Sequence, residues 1–329
     1  MEEKNDNEII RQYPYPIAIL YRIAAGLNFK EDPDKKLEYI LQTAESAARL
    51  AGIIALAELL VLKEKENIEI PNSIKSDFKK NIRRPGFGIW MNFAREGLAY
   101  LQDIGAEIVI PEFKDLFYEN RKESEFKIAM DKLIKLRNAI AHHKVVLDTM
   151  DKKQSAAGIS LNYLHTALQR LEFLKEVSFG YIKSIEVNKK PRQDPEFLHK
   201  GKTLKGDSIG KGINLSSILH NFKETDAVII RYDAETYLNL YPFYIYDESS
   251  GDAADVFFYN GTDRNRLEYI GIDPGGKFFV ENSQQEQSLD VDEEFDLLMA
   301  GKARGSDREN IKFSPELHQE FDHIAGLLG

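Results

Sequence analysis

The sequence predicts an α+β multidomain protein, with an all-α helical bundle first and a β-rich α+β region after it. Two observations lead there. Apolar residues recur at helical spacing as far as about residue 185, then alternate in short runs rich in β-branched and aromatic residues from about residue 226. Charge divides along nearly the same line. Residues 213–329 carry 9 Lys and Arg against 23 Asp and Glu, a net of −14, while residues 1–212 carry 35 against 31, a net of +4. A chain of 329 residues is long enough for two domains. The expected layout is a bundle over 1–187, a linker over 188–212 and an acidic β-rich domain over 213–329 with a sensory or regulatory role.

Each element rests on its own pattern. From Lys35 to Lys63, Leu37, Ile40, Leu41, Ala44, Ala47, Ala51, Ile54, Leu56 and Leu60 keep helical spacing. The small residues Ala44, Ala47, Ala48 and Ala51 leave room for a neighbouring helix to approach closely. A second helix is expected from about Phe87 to Gln102, after Pro85-Gly86. A third spans about Glu123 to Val146, with Phe126, Met130, Leu133, Ile134 and Leu136 on its buried side. Asp151 to Gly158 reads as a polar break. A fourth helix then spans about Ser160 to Ile185, with Leu161, Leu164, Leu168, Leu171 and Leu174 on one side. Helices joined by short polar connections indicate a bundle. The Pro-, Gly- and Lys-rich stretch from Asn188 to Gly212 reads as the linker. Strands follow over Asp226–Tyr232, Thr236–Tyr241, Phe243–Tyr246, Val256–Tyr259, Leu267–Ile272 and Lys277–Val280. Turn signals at Asp247–Asp252, Asn260-Gly261 and Asp273–Gly276 separate them. Val291–Met299 and Pro315–Leu328 read as closing helices.

Composition excludes several classes. With no cysteine there is no disulfide framework and no thiolate metal site. A hydrophobic fraction of 43% with 19 Phe and 15 Tyr suits a protein that buries real cores. The acidic N-terminus lacks the basic-then-apolar order of a secretory signal. The apolar run from Leu50 to Leu62 contains Glu58 and is too short to span a bilayer. The expectation is a cytoplasmic protein with no membrane partner.

The chemistry lies in Leu136-Arg137-Asn138-Ala139-Ile140-Ala141-His142-His143. It sets an arginine, a small polar residue and a histidine in the frame Arg-Asn-x-x-x-His, near the end of a helix. On a helix Arg137 and His142 lie about 140° apart, whereas Asn138 and His142 stack one turn apart. The long Arg137 side chain can still reach round to share a cleft with His142. RNA cleavage without a metal needs these groups. The ribose 2′-OH attacks the adjacent phosphorus, an imidazole titrating near neutrality moves the proton, and a guanidinium fork holds the phosphorane oxygens. Asn138 would orient the histidine or a phosphate oxygen. The plain alternative is a solvated helix end whose histidines favour the C-terminal dipole.

A bundle carrying this motif towards the end of a late helix resembles the HEPN domain superfamily. The resemblance covers roughly residues 10–187, and Arg137, Asn138 and His142 fall on the family's motif. It implies a metal-independent endoribonuclease with no cofactor, an RNA substrate and a homodimer whose composite site joins two copies of this helix. It also implies a place among toxin, abortive-infection and other anti-phage defence effectors. Lys144 departs from one class of these toxins, which carries tyrosine at that place. Because some HEPN domains do not cut RNA, a non-catalytic scaffold or adaptor that binds a partner protein or a nucleotide is the alternative.

Other candidates surround the motif. His143, Lys144, Lys135 and Lys132 are expected as supporting or RNA-contacting groups. Lys75, Lys79, Lys80, Arg83 and Arg84 lead into Pro85–Trp90. Either the cations hold RNA backbone while Trp90 stacks a base, or Trp90 is core and the lysines a solvated loop. Gly206–Lys211 falls one residue short of a phosphate-binding loop, and Gly212 replaces its metal-binding hydroxyl. Asp247, Asp252, Asp255 and Asp263 are expected as surface loop residues rather than a cation site. A protein partner or ligand is expected at the acidic domain.

Overall fold

The computed structural model describes residues 2–143, 146–189, 195–209, 213–216, 225–231, 236–247, 255–263, 266–272, 277–281, 323, 324 and 327. It is a mixed α+β fold with a helical N-terminal region. Among the described residues there are seven α-helices, α1 (Glu2–Gln12), α2 (Tyr15–Gly26), α3 (Pro33–Glu66), α4 (Asn72–Asn81), α5 (Phe87–Asp103), α6 (Glu125–Ala141) and α7 (Met150–Arg170). A short hairpin of β1 (Tyr118–Glu119) and β2 (Lys122–Glu123) precedes α6. The remaining strands are β3 (Ser178–Asn188), β4 (Glu196–Thr203), β5 (Ile213–Ser216), β6 (Ala227–Arg231), β7 (Tyr237–Asn239), β8 (Tyr244–Asp247), β9 (Asp255–Asp263), β10 (Arg266–Gly271) and β11 (Lys277–Glu281). They form two antiparallel sheets, ordered β5-β4-β3-β6-β7 and β11-β10-β9-β8.

The long helix α3 organises the bundle, packing against α2, α5 and α7, while α6 packs chiefly on α7. Its small-residue stretch works as the composition suggested. Ala44, Ala47, Ala48 and Ala51 are buried, and at Gly52 a Cβ would lie 2.8 Å from the Trp90 carbonyl oxygen, so α5 sits directly on the α3 backbone. Ser124 starts α6: its hydroxyl accepts from Lys127 N at 3.2 Å.

One hydrophobic core runs through helices and sheets alike. The Trp90 ring on α5 meets Phe243 edge-on at 6.4 Å, and the buried Arg49 guanidinium on α3 lies 3.4 Å from the centroid of the Phe258 ring on β9. Tyr15 N donates to Leu204 O at 2.9 Å, and Gly206 N donates to Tyr13 O at 2.8 Å. The two sheets meet through Phe179 against Tyr244 and Tyr181 against Tyr246.

Several expectations change. Asp151–Gly158 is no break but the start of α7, because Lys, Gln and Ala are good helix formers whatever their polarity. The expected fourth helix stops at Arg170. A short 3-10 turn over Glu172–Lys175 follows, and β3 begins at Ser178, since the leucine spacing ends at Leu174 and aromatic and β-branched residues then alternate. The third helix ends at Ala141 rather than Val146. The expected linker contains β4, which pairs with β3 from Gly180↔Thr203 to Asn188↔Glu196. The Asn260-Gly261 turn signal is instead a bulge inside β9. Asp247 and Asp255 are buried and register across β8 and β9, with Tyr15 OH donating to Asp255 Oδ1 at 3.3 Å. Asp252 and the proposed helix over 291–299 lie outside the described residues, as does most of 315–328, of which His323, Ile324 and Leu327 are helical.

Candidate functional site

The Arg-Asn-x-x-x-His frame occupies the last turns of α6, where the helix leaves the core. Phe126, Met130 and Leu133 form the buried stripe of α6, each three or four residues after the last. The next position on that stripe is Arg137, and it is exposed. The end of α6 therefore turns Arg137, Asn138 and His142 to solvent on one side, while Leu136 and Ile140 stay packed against the core on the other.

Arg137, Asn138, His142 and His143 are all exposed. Arg137 Nη1 donates to Asn138 Oδ1 at 3.4 Å, a long bond that nonetheless turns the guanidinium towards the Asn138 side. His142 caps the helix at φ −97° and ψ 16°, its N–H bonding back to Asn138 O at 3.0 Å. His143 takes the left-handed conformation at φ +53°, which ends the helix. Lys135, Asn138 and His142 share one stripe of α6, and Lys132 and Lys135 are exposed. Among the described residues, Lys132, Lys135, Arg137 and His142 pair with no carboxylate, whereas Lys127, a turn or two earlier, is held by Glu123 at 2.8 Å and Asp131 at 2.9 Å. Positive charge at this helix end is thus uncommitted. Lys144 lies outside the described residues.

Beside the motif runs an apolar groove of about 700 Å³ between α6 and α7, with Leu133, Leu136, Val146, Leu147, Ile159 and Tyr163 among its walls. Val146 and Ile159 are exposed here, at 63% and 53%. Sequence reasoning missed this groove, because placing a break at 151–158 hid the first turns of α7. The signal was Thr149, whose hydroxyl accepts from Lys152 N at 3.4 Å as the helix N-cap.

Of the second cluster, Lys79, Lys80, Arg83 and Arg84 are exposed, but Trp90 is not. Its ring is fully buried, edge-on to Phe93 and Phe243 at 5.9 and 6.4 Å, so it stacks no base. Lys80, Asn81, Arg83, Arg84, Ile89 and Thr262 line a separate cleft of about 360 Å³. Among the described residues no three His, Asp or Glu side chains gather as potential metal ligands. A polar cluster that sequence reasoning did not find joins α1, α2 and α7: Tyr21 OH donates to Asp6 and lies 2.6 Å from His165 Nε2. Three distant helices supply it, so no local spacing could reveal it.

No helix in the described residues is long and apolar enough to cross a membrane. The fold and site thus define a mixed α+β protein with a cationic, histidine-capped helix end that exposes its polar side. Set against models of known families, curated proteins and solved structures, the chain matches none.

Proposed function

We propose that the chain is a metal-independent endoribonuclease of the HEPN type, acting as a toxin or anti-phage defence effector. The observation that carries this reading is the end of α6, where Arg137, Asn138 and His142 are exposed together and unpaired with any carboxylate among the described residues. His142 takes the proton of a ribose 2′-OH as that oxygen attacks the adjacent phosphorus. The bond from phosphorus to the 5′-oxygen breaks, and the leaving oxygen receives a proton from an acid. A cyclic 2′,3′-phosphate and a 5′-hydroxyl result. Arg137 offsets charge on the phosphorane oxygens, with Asn138 holding its guanidinium. A second copy of the chain, docked by two-fold symmetry at α6, supplies the other proton-transfer group. The acidic region restrains or triggers the nuclease.

The test is cleavage of single-stranded RNA in EDTA by the wild-type chain and by Arg137→Ala and His142→Ala. Both side chains are exposed, so both variants should unfold within roughly 0.5 kcal/mol of wild type. Cleavage should fall at least a hundredfold in each. Undiminished cutting by both variants would remove these residues from the chemistry.

The apolar groove between α6 and α7 favours a second reading, a non-catalytic scaffold that binds a partner protein there. That reading expects no cleavage by any preparation, and loss of complex formation on Ile159→Asp.

A further inference from the structure

The cleft lined by Lys80, Asn81, Arg83, Arg84, Ile89 and Thr262 is built rather than incidental. Its floor is the connector between α4 and α5, and β9 clamps that connector from the side. Thr262 N donates to Arg83 O at 2.9 Å, and Tyr259 OH donates to Ile82 O at 3.1 Å. At Gly261, with φ +141°, a Cβ would stand 2.5 Å from Arg83 O, so only glycine lets β9 approach this closely. The Arg83 and Arg84 side chains therefore leave a fixed backbone.

The chemistry of the walls is one-sided. Lys80, Arg83 and Arg84 are exposed cations, and among the described residues none pairs with a carboxylate. The nearby Asp77 is engaged on both oxygens by the amides of Asn81 and Asn92, each at 2.6 Å. Asn81 and Thr262 add neutral polar groups, and Ile89 one apolar surface. The first turn of α5, which contains Ile89, has no acidic residue and no side-chain cap, so its amide dipoles add to the same positive field. Three unpaired cations around a held connector, with no lining carboxylate, fit a phosphate group.

The cleft also lies near the motif. A Cβ on Gly88, in that same turn of α5, would fall 3.8 Å from Ile134 Cγ2 on α6. Ile134 is one helical turn before Asn138 and two before His142, which places His142 roughly 12 Å further along α6. We infer that this cleft holds a backbone phosphate of the same RNA strand whose scissile phosphate lies at Arg137 and His142. The inference rests on the ribonuclease reading for its ligand, though not for the cleft's preference for phosphate. It makes the cleft an anchor that sets where along the strand the motif cuts.

The experiment uses the full chain carrying His142→Ala, so that RNA survives. Binding of a fluorescently labelled single-stranded RNA dodecamer is followed by anisotropy in EDTA across a salt series. Adding Arg83→Gln with Arg84→Gln should weaken binding at least tenfold at 0.1 M salt and flatten the plot of log affinity against log salt by about 0.7, the loss of one phosphate contact on a single strand. Lys30→Gln with Lys35→Gln removes equal charge near the start of α3, about 25 Å along that helix from Gly52, and should change affinity less than twofold. Equal losses from both pairs, or no loss from the cleft pair, would overturn the inference. So would micromolar binding of AMP at the cleft with no binding of RNA, which would make it a nucleotide site. The ribonuclease reading fails separately: a wild-type chain that binds RNA through Arg83 and Arg84 yet never cuts it loses the chemistry and keeps the anion cleft.

Discussion

Replacing Glu58 with glutamine should remove a loss of folding stability that otherwise builds up between about pH 4.5 and pH 7. Glu58 sits within α3 and is 1% exposed, and its carboxylate accepts from Val109 N at 2.6 Å. Burial raises its pKa from 4.5 to about 7, against the opposing pull of the Val109 and Ile110 amides and of Lys114 and Lys65. A raised pKa means that the native state binds more protons than the unfolded chain between the two values. Stability is therefore full below about pH 4.5 and falls as pH rises through about 7. At about 1.4 kcal/mol per pKa unit, the wild-type chain loses about 2.5 kcal/mol between pH 5 and pH 8 from this one group. Glutamine keeps the size and an acceptor oxygen but does not titrate. Urea unfolding of both proteins at pH 5 and pH 8 measures the difference. The wild type should lose about 2.5 kcal/mol more than the variant across that interval. Equal losses in the two proteins would refute the assignment, because they would mean that Glu58 is already ionised, or already solvated, in the fold.

Two further substitutions probe the frame that holds α6. Gly52→Ala forces a methyl to 2.8 Å from the Trp90 carbonyl oxygen, and neither backbone can yield without parting α3 from α5. It should cost about 1–3 kcal/mol, read as a lowered melting temperature. Ser124→Ala removes the hydroxyl that accepts from Lys127 N and donates to Leu116 O. It should cost about 1–2 kcal/mol and speed amide exchange in the first turn of α6, while leaving exchange in α3 unchanged.

What the sequence disclosed depended on how far a pattern reached. Long helices with an apolar stripe were legible: α3 and α5 begin and end within a few residues of their expected bounds. So were the six short strands from β6 to β11, whose alternation is local. The failures share a cause. Residues 150–158 are polar because they form the exposed turns of α7, and the sequence alone does not separate an exposed helix from a loop. Residues 178–203 carry Lys, Gly and Ser because β3 and β4 run out to the edge of their sheet's covered face, where the far half of β3 is exposed. α1, α2 and α4 went unassigned because each is short and leans on the rest of the fold for its stability.

The candidate site divides in the same way, and the division bears on what charge can say. Arg137, Asn138 and His142 are neighbours in sequence and remain neighbours in space, so one helical turn made the motif legible. The basic cleft was half legible: Lys80, Arg83 and Arg84 stood out as a run, but Thr262, Gly261 and Tyr259, which fix their backbone, lie about 180 residues later. Those wall residues belong to the acidic part of the chain. Counted along the chain, a net of −14 over 213–329 amounts to a body that repels RNA. The fold breaks that inference at two points. Asp247 and Asp255 are buried against Tyr15 and each other's strand, and contribute little to the outer surface. β9, from the same acidic segment, contributes Thr262 to the wall of the cationic cleft. Charge counted along the chain therefore does not divide this protein in space, because β9 reaches the helical part at Arg83, whose carbonyl it holds. The acidic segment helps to hold the positive groups in place, and repulsion of RNA by that segment as a whole is not the expectation its position supports.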